Sequence, residues 1–216
     1  NPYSWLVTFA VVALAAALRF AGIARPKNYI FDEVYYPTDA WDMLQHGVEW
    51  DEKSNGPAYV VHPPLGKWLI ALGEKAFGMD PFVWRISAAV VGSLMVLVMC
   101  RLVLRLTGSL LLGCLAGALL ALDGMHLVLS RVALLDIFLA FFLLCGVACV
   151  VNDRYWMRAR MARLVQEGGD PPGPRDWGPV RGLLLRPWLL LGGVSFGLAV
   201  GTKWTALFPL AALGLL

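Results

Sequence analysis

The chain has 216 residues, of which 59% are hydrophobic and 15% charged, and its formal net charge is +3. A soluble domain is typically about half apolar and a quarter charged, so this composition argues against an ordinary soluble domain. The net charge is too small to indicate nucleic-acid binding, and we expect no nucleic-acid partner.

Long apolar runs with almost no charge are typical of membrane spans. Spans in lipid must be helical or form closed barrels, because backbone groups there need partners within the protein. We predict an all-α polytopic membrane protein with spans at about 5–23, 82–104, 107–124, 132–151, 185–201 and a truncated one at 204–216. The sequence begins without Met and stops inside an apolar run, so we expect a fragment of a longer protein.

The first polar stretch, residues 24–81, lies between the first two predicted spans. Within it, residues 64–78 carry apolar side chains at helical spacing, namely Leu65, Trp68, Leu69, Leu72 and Ala76. This segment is too short and too charged to cross a bilayer. We therefore predict a helix lying in the membrane interface, with a re-entrant segment as the alternative.

The second polar stretch, residues 152–186, is a predicted loop rich in Pro and Gly. It holds seven arginines against four acidic residues. Because loops rich in Arg and Lys stay on the cytoplasmic side, we predict that this loop is cytoplasmic. Arg101 and Arg105 then fall on the same side, and the 24–81 loop is extracytoplasmic. The chain is thus predicted to be a multi-pass plasma membrane protein.

Four short polar motifs gather at the predicted extracytoplasmic face. They are FDEVYY at 31–36, HPPLGK at 62–67, SRVALLD at 130–136 and GTKWT at 201–205. An ionisable group at membrane depth costs about 2.5–3.5 kcal/mol on insertion scales, so such groups are functional candidates. Each one alone is also explained by solvation, snorkelling or a structural pair such as Arg131–Asp136. Together, cations and carboxylates at one membrane face suit an anionic, lipid-attached ligand.

These motifs, in this order, resemble the protein O-mannosyltransferase family over about residues 28–209. Members are enzymes of GT-C fold that use polyprenyl-phosphate mannose as donor. The resemblance implies the N-terminal part of a GT-C transmembrane bundle, with interfacial helices in its first extracytoplasmic loop. Tyr35, where many eukaryotic relatives have His, and the Lys-poor composition favour a bacterial, actinobacterial-like member.

The resemblance also implies an activity, in which an inverting transferase moves mannose to Ser or Thr hydroxyls of exported proteins. Asp32 matches the catalytic aspartate of the family, and Glu33 the acidic residue that helps to hold the acceptor. A phosphate leaving group needs cations to absorb its developing charge. Arg85, Arg131 and Lys203 are predicted to bind the donor phosphate.

Four further polar residues are candidates with open roles: His62, Lys67, Asp123 and Asp136. His62 could orient the FDEVYY loop, contact either substrate or be structural, and Asp136 could simply neutralise Arg131. His126 is interpreted as structural. We expect no cofactor and no metal. The expected partners are the lipid bilayer, polyprenyl-phosphate mannose and exported acceptor polypeptides, with the secretion machinery beside them.

Two other functional classes remain open at this stage. Another GT-C transferase with a lipid-phosphate donor, such as one that moves aminoarabinose to lipid A, would share the acidic loop and the cations. A transporter or a non-catalytic scaffold is the more distant alternative. Transporters usually place charges near the bilayer midplane, whereas the charges here are predicted at one interface.

Overall fold

The structure, a computed structural model, describes residues 2–166 and 186–214 of the chain. Regular structure within these ranges is almost entirely helical, which confirms the predicted all-α class. The helices are α1 (Pro2–Phe20), α2 (Tyr36–His46), α3 (Leu65–Phe77), α4 (Pro81–Thr107), α5 (Leu110–Leu122), α6 (Gly124–Leu129), α7 (Leu135–Gln166), α8 (Pro187–Thr202) and α9 (Leu207–Gly214). Two 3₁₀-helices (Phe31–Val34 and Trp204–Ala206) and a minimal hairpin of β1 (Trp50–Asp51) and β2 (Gly56–Pro57) complete the regular structure of these ranges.

Three helices in the described part of the chain are long and apolar enough to cross a membrane. These are α1, α4 and the Leu135–Arg163 part of α7. Shorter apolar helices lie in the predicted spans 107–124, 185–201 and 204–216. The third predicted span is divided, because Asp123 ends α5 and begins the separate short helix α6.

Local sequence signals set the ends of α4 and α5. The Asp80 carboxylate caps α4 by accepting a hydrogen bond from the Phe82 amide, and Pro81 occupies the first helical position, where no N–H is needed. At the other end, Gly108 adopts a left-handed φ of 71°, a conformation that glycine reaches without steric cost. Ser109 then caps α5. These caps explain why a two-residue turn separates the two helices.

The basic segment after the fourth predicted span differs from the prediction. The sequence was expected to form a loop from residue 152, but α7 continues to Gln166. Helix-breaking residues are absent from 152–166, and the Pro- and Gly-rich part begins only after it. Residues 167–185, the rest of the predicted loop, lie outside the described residues.

Helix α4 is central to the bundle and packs against α1, α3, α5 and α7, while α8 packs against α7. The main hydrophobic core lies where α3, α4 and α7 meet, and includes Ile70, Ala88, Leu135 and Phe138. Gly66 on α3 permits this contact, because a Cβ there would lie 2.6 Å from a Leu135 methyl and 3.1 Å from the Thr202 methyl. The close approach brings the start of α3 to the start of α7 and the end of α8.

Candidate active site

The FDEVYY motif forms a 3₁₀-helix at Phe31–Val34 directly before α2. Phe31 enters it with a left-handed φ of 54°, which costs a non-glycine residue about 1–3 kcal/mol. Because consecutive side chains of this tight helix point in different directions, the two neighbouring carboxylates have different surroundings. Asp32 is partly exposed, whereas Glu33 is completely buried.

Glu33 forms a buried bidentate ion pair with Arg85. Its two carboxylate oxygens accept hydrogen bonds of 2.7 and 2.6 Å from Nε and Nη2 of Arg85. They also accept the backbone amides of Ile30 and Ala133, each at 2.9 Å. Glu33 therefore ties the acidic loop to α4 and to the segment before α7, and its predicted contact with an acceptor does not fit this arrangement.

Arg85 has no N–H group left for a phosphate. Besides its bonds to Glu33, its guanidinium donates to the carbonyl oxygens of Ile23, Pro26 and Asn28 at 2.9–3.1 Å, and the side chain is 0% exposed. All five N–H donors of the group are accounted for. The role predicted for Arg85 in phosphate binding does not fit, because its charge is used to fold the loop.

Asp32 lies on the wall of a cavity of about 430 Å³ beside the acidic loop. Ten residues line it, namely Asp32, Tyr35, Tyr36, Asp39, Glu49, Ala58, Tyr59, Val61, His62 and Lys67. Its volume is within the usual range for small-molecule sites. The structure thus brings the FDEVYY and HPPLGK motifs together around one space.

Electrostatic interactions link this cavity to the two other motifs. Burial lowers the pKa of His62, and the charges of Lys203 and Lys67 lower it further. Burial and the Asp32 and Asp136 carboxylates raise the pKa of Tyr36 far above its usual value, and its hydroxyl donates a long 3.5 Å hydrogen bond to Asp32. At neutral pH, His62 and Tyr36 are therefore uncharged.

Lys203 and Asp136 form an ion pair at the edge of this site. The Nζ–Oδ1 distance is 2.8 Å, and the side chains are 20% and 42% exposed. Asp136 therefore neutralises Lys203, and not Arg131 as the sequence suggested. Both groups remain partly accessible to solvent, so Lys203 keeps N–H donors that a ligand can reach.

Lys67 has a structural environment. Its ammonium contacts Asp39 at 2.9 Å and Glu49 at 2.5 Å, and the side chain is almost fully buried. This three-residue cluster joins α2 and the segment before β1 to the start of α3. It supports the cavity wall without presenting a free charge to the cavity.

Arg131 and Asp123 lie at the joint between α5, α6 and α7. Arg131 donates to the carbonyl oxygens of Leu18 and Ala21 at the end of α1, and Asp123 caps α6 by accepting the His126 amide at 2.8 Å. Neither lines the cavity. Their contacts are those of helix-end residues.

His126 lies in a buried contact with Arg19 of α1. Its Nδ1 is 2.7 Å from an Arg19 nitrogen. Burial and the Arg19 charge lower the pKa of His126 to about 4, so the ring is neutral and accepts from the guanidinium. These contacts join α6 to α1 and agree with the structural interpretation of His126.

Seven of the ten cavity residues were not predicted as site residues, and Tyr36, Asp39 and Glu49 are among them. Tyr36, Asp39 and Glu49 stand in or near the acidic motif without a recognisable spacing, and their roles depend on partners elsewhere. One signal could have indicated Asp39 and Glu49: a lysine that is buried at position 67 needs carboxylates close to it. Among the described residues, no group of three or more His, Cys, Asp or Glu side chains is arranged to hold a metal ion.

The fold and the cavity define the class of protein. The chain superposes with a TM-score of 0.74 on the S. cerevisiae protein O-mannosyltransferase Pmt1–Pmt2 complex bound to the sugar donor, at 21% identity, over 99% of this chain and 27% of that one. This confirms a polytopic membrane bundle of the GT-C type. A model of the dolichyl-phosphate-mannose-protein mannosyltransferase family matches residues 9–164. The chain therefore belongs to that family, as its motifs predicted.

The relatives of this chain include proteins from actinobacteria, as expected. The polyprenol-phosphate-mannose–protein mannosyltransferase of Mycolicibacterium smegmatis (strain MKD8) is 41% identical over 94% of this chain and 39% of that protein. The protein of the same name from Corynebacterium glutamicum is 36% identical over 100% of this chain and 41% of that protein. The chain thus spans about two fifths of the length of these relatives. Family membership favours the mannosyltransferase over the two alternatives.

Proposed function

We propose that the chain is part of an inverting glycosyltransferase that moves mannose from a polyprenyl-phosphate carrier to Ser or Thr hydroxyls of exported proteins. The observation that carries this proposal is the position of Asp32, a partly exposed carboxylate on the wall of the 430 Å³ cavity. The names of the relatives, polyprenol-phosphate-mannose–protein mannosyltransferases, support the substrate class.

In this proposal Asp32 acts as the general base. A hydroxyl is a weak nucleophile, so a positioned carboxylate must accept its proton as the new bond to the anomeric carbon forms. Single displacement with inversion requires one base and no covalent sugar–enzyme intermediate. Glu33 serves as a positioning residue, because its contacts to Arg85 and Ala133 hold the loop on which Asp32 stands.

Lys203 is the proposed cation for the departing lipid phosphate. Its charge lowers the pKa of His62 at the cavity wall, so Lys203 lies close to the cavity. Its side chain is also still partly exposed. An ammonium group stabilises the negative charge that develops on the leaving oxygen, so no acid is needed there. Arg131 has its contacts at the end of α1 and is left out of this step.

His62 and the two tyrosines complete the proposed site. His62 remains neutral near neutral pH because burial, Lys203 and Lys67 lower its pKa, so its ring can both donate and accept hydrogen bonds to a sugar or an acceptor. Tyr35 and Tyr59 offer exposed rings at the same cavity. A sugar ring has apolar faces that such rings contact well.

The proposed side of the membrane is the extracytoplasmic one. The arginine-rich continuation of α7 lies at the end of the bundle opposite Asp32, and such segments remain in the cytoplasm. With this orientation the site faces the outside of the plasma membrane, so its acceptors are exported polypeptides. Labelling of single cysteines with a membrane-impermeant reagent tests it, since position 52 should react in intact cells and position 158 should not.

The test of the activity is the substitution Asp32→Asn in the complete protein. We expect transfer of mannose from polyprenyl-phosphate mannose to a Ser/Thr peptide to fall by about 10²–10⁴-fold, because general-base catalysis is lost. Binding of the donor should remain within a few-fold of the parent. Kinetics on purified protein and a donor-binding titration measure the two effects separately.

The matched control is Asp51→Asn, the same change in β1 of the same loop. Asp51 does not line the cavity, and we expect parental activity from this variant. Full activity of the Asp32→Asn variant would show that Asp32 is not the base. Loss of donor binding together with activity would assign Asp32 to the donor site instead.

A further inference from the structure

A second groove lies at the end of the bundle opposite Asp32. It has a volume of about 460 Å³, lies between α1, α4, α7 and α8, and is lined by residues that include Trp5, Leu97, Arg101, Arg105, Cys149 and Trp188. Most of the lining is apolar, and the two arginines provide its positive charge. We call it the arginine groove.

The position of the two arginines along α4 places them at the depth of lipid phosphates. Arg101 lies 16 residues after Arg85, which corresponds to about 24 Å at 1.5 Å per residue, and Arg105 lies one turn further. Arg85 marks the other membrane face of the bundle. Since the hydrocarbon core is about 30 Å thick, Arg105, about 30 Å from Arg85, lies at the opposite headgroup level. Arg101 lies one turn deeper, and its long side chain can extend to the same level.

Both guanidinium groups are held by aromatic rings instead of carboxylates. Arg101 lies 3.8 Å from the ring centroid of Trp5, and Arg105 lies 4.7 Å from that of Tyr155. Arg101 also donates a long 3.4 Å hydrogen bond to the Ser4 hydroxyl. Within residues 2–166 and 186–214, neither arginine takes part in an ion pair.

Stacking on a ring fixes a guanidinium in orientation and leaves its N–H edge available. Two arginines at positions i and i+4 lie on one face of a helix, so both edges are directed to the same region. A phosphate diester accepts two such charge-assisted contacts. The adjoining apolar groove is complementary to a hydrocarbon chain, and basic pockets between membrane helices are known to bind anionic headgroups.

We propose that the arginine groove binds an anionic phospholipid, with the phosphate on Arg101 and Arg105 and one acyl chain between α4 and α7. The charge of the groove selects an acidic headgroup over a zwitterionic one. The bound lipid fills the space between α1, α7 and α8, and thereby stabilises the junction of these helices. This inference does not depend on the proposed transferase activity.

The experiment is native mass spectrometry of the complete protein, released from nanodiscs that contain phosphatidylglycerol or phosphatidylcholine. We expect the parent protein to retain one phosphatidylglycerol and no phosphatidylcholine. The double variant Arg101→Gln with Arg105→Gln should retain it at least about tenfold less, since each basic side chain near the membrane surface contributes substantially to attraction. Arg158→Gln, an exposed arginine on α7 outside the groove, is the matched control and should behave as the parent.

Three results would overturn the proposal. The first is equal retention of phosphatidylglycerol by the parent and the double variant. The second is retention of phosphatidylcholine by the parent to the same extent as phosphatidylglycerol. The third is displacement of phosphatidylglycerol by an equal amount of polyprenyl phosphate. The last result would assign the groove to a carrier lipid. If the double variant does not fold, Arg105→Gln alone gives the answer, because Arg105 is exposed and its loss should weaken retention without unfolding the protein.

Discussion

The two ends of the helical bundle use arginine in different ways. At one end Arg85 is 0% exposed and gives all its N–H groups to Glu33 and three backbone carbonyls. At the other end Arg101 and Arg105 rest on aromatic rings without a carboxylate partner in the described part of the chain. On the same helix, arginine thus stabilises the fold at one end and leaves its charge accessible to a ligand at the other.

This difference shows that charge at a membrane face does not by itself identify a ligand site. A buried charge whose hydrogen bonds are all formed stabilises the fold, while a partly exposed charge can bind a ligand. At the Asp32 end, Asp32 and Lys203 belong to the second kind, and Glu33, Arg85 and Lys67 to the first. The number of hydrogen-bond donors or acceptors already used separates the two kinds.

The largest effect that we expect is on folding, from Arg85→Gln. Removing one partner of a buried ion pair leaves an uncompensated charge and costs about 3–5 kcal/mol. Glu33 and three carbonyl groups would lose their partners. We therefore expect a strong drop in the melting temperature of the purified protein, with loss of activity as a consequence.

Arg158→Gln is the matched control, because it is the same change at an exposed position outside the arginine groove. It should shift the free energy of unfolding by no more than about 0.5 kcal/mol. If Arg85→Gln instead kept its melting temperature and lost only donor affinity, Arg85 would be a ligand residue and the comparison between the two ends would be wrong.

An intermediate effect is expected from Glu74→Gln on α3. Both carboxylate oxygens of Glu74 are buried without a hydrogen-bond partner, and burial raises the pKa of Glu74 from 4.5 to about 8. Between these pH values the folded protein holds a proton that the unfolded chain has released, so stability falls as pH rises from about 4.5 to 8. A glutamine has no such cost.

We expect Glu74→Gln to raise the stability at pH 8 by about 1–3 kcal/mol, given about 1.4 kcal/mol per pKa unit, and to change it little at pH 5. Thermal unfolding at the two pH values measures this difference. Glu52→Gln is the same change at an exposed position of the same 24–81 stretch, and it should give no pH-dependent gain in stability. A gain that is equal at both pH values would mean that Glu74 is not protonated in the folded state.

The smallest effect on stability is expected from Lys203→Gln. A partly exposed pair such as Lys203–Asp136 contributes about 0–1 kcal/mol, so the melting temperature should hardly change. Activity should nevertheless fall, with a raised KM for the lipid-phosphate donor. Lys75→Gln, an exposed lysine on α3, is the control and should leave both values unchanged. Unchanged kinetics for Lys203→Gln would remove it from the phosphate site.

The sequence predicted the fold class and the motifs of the site, because both depend on local patterns. Hydropathy indicated the helices, and the order of the motifs indicated the family. The environments of Asp32 and Glu33 could not be predicted in this way. Adjacent carboxylates look alike in a sequence, and the turn at Phe31, with its φ of 54°, decides which of them enters the protein.

Partners that are far apart in the chain account for the remaining differences. Arg85 appeared as a free cation because its acceptors lie up to 62 residues away, and Asp136 was paired with nearby Arg131 when its partner is Lys203, 67 residues away. Such pairs arise from helix packing, which local spacing does not specify. The helical extension of α7 to Gln166 differs from the prediction for a simpler reason, since a basic composition is compatible with a loop as well as with a helix.

The contacts of Glu33 also set an order of events during synthesis. Its side chain has partners 52 and 100 residues later in the chain, in Arg85 and the amide of Ala133. While the ribosome has produced only α1 and the acidic loop, Glu33 is an unpaired charge and the loop has nothing to hold it. The FDEVYY loop can therefore be fixed only after α4 has been inserted and the start of α7 has left the ribosome, so an unfinished chain does not yet hold Asp32 at the cavity wall.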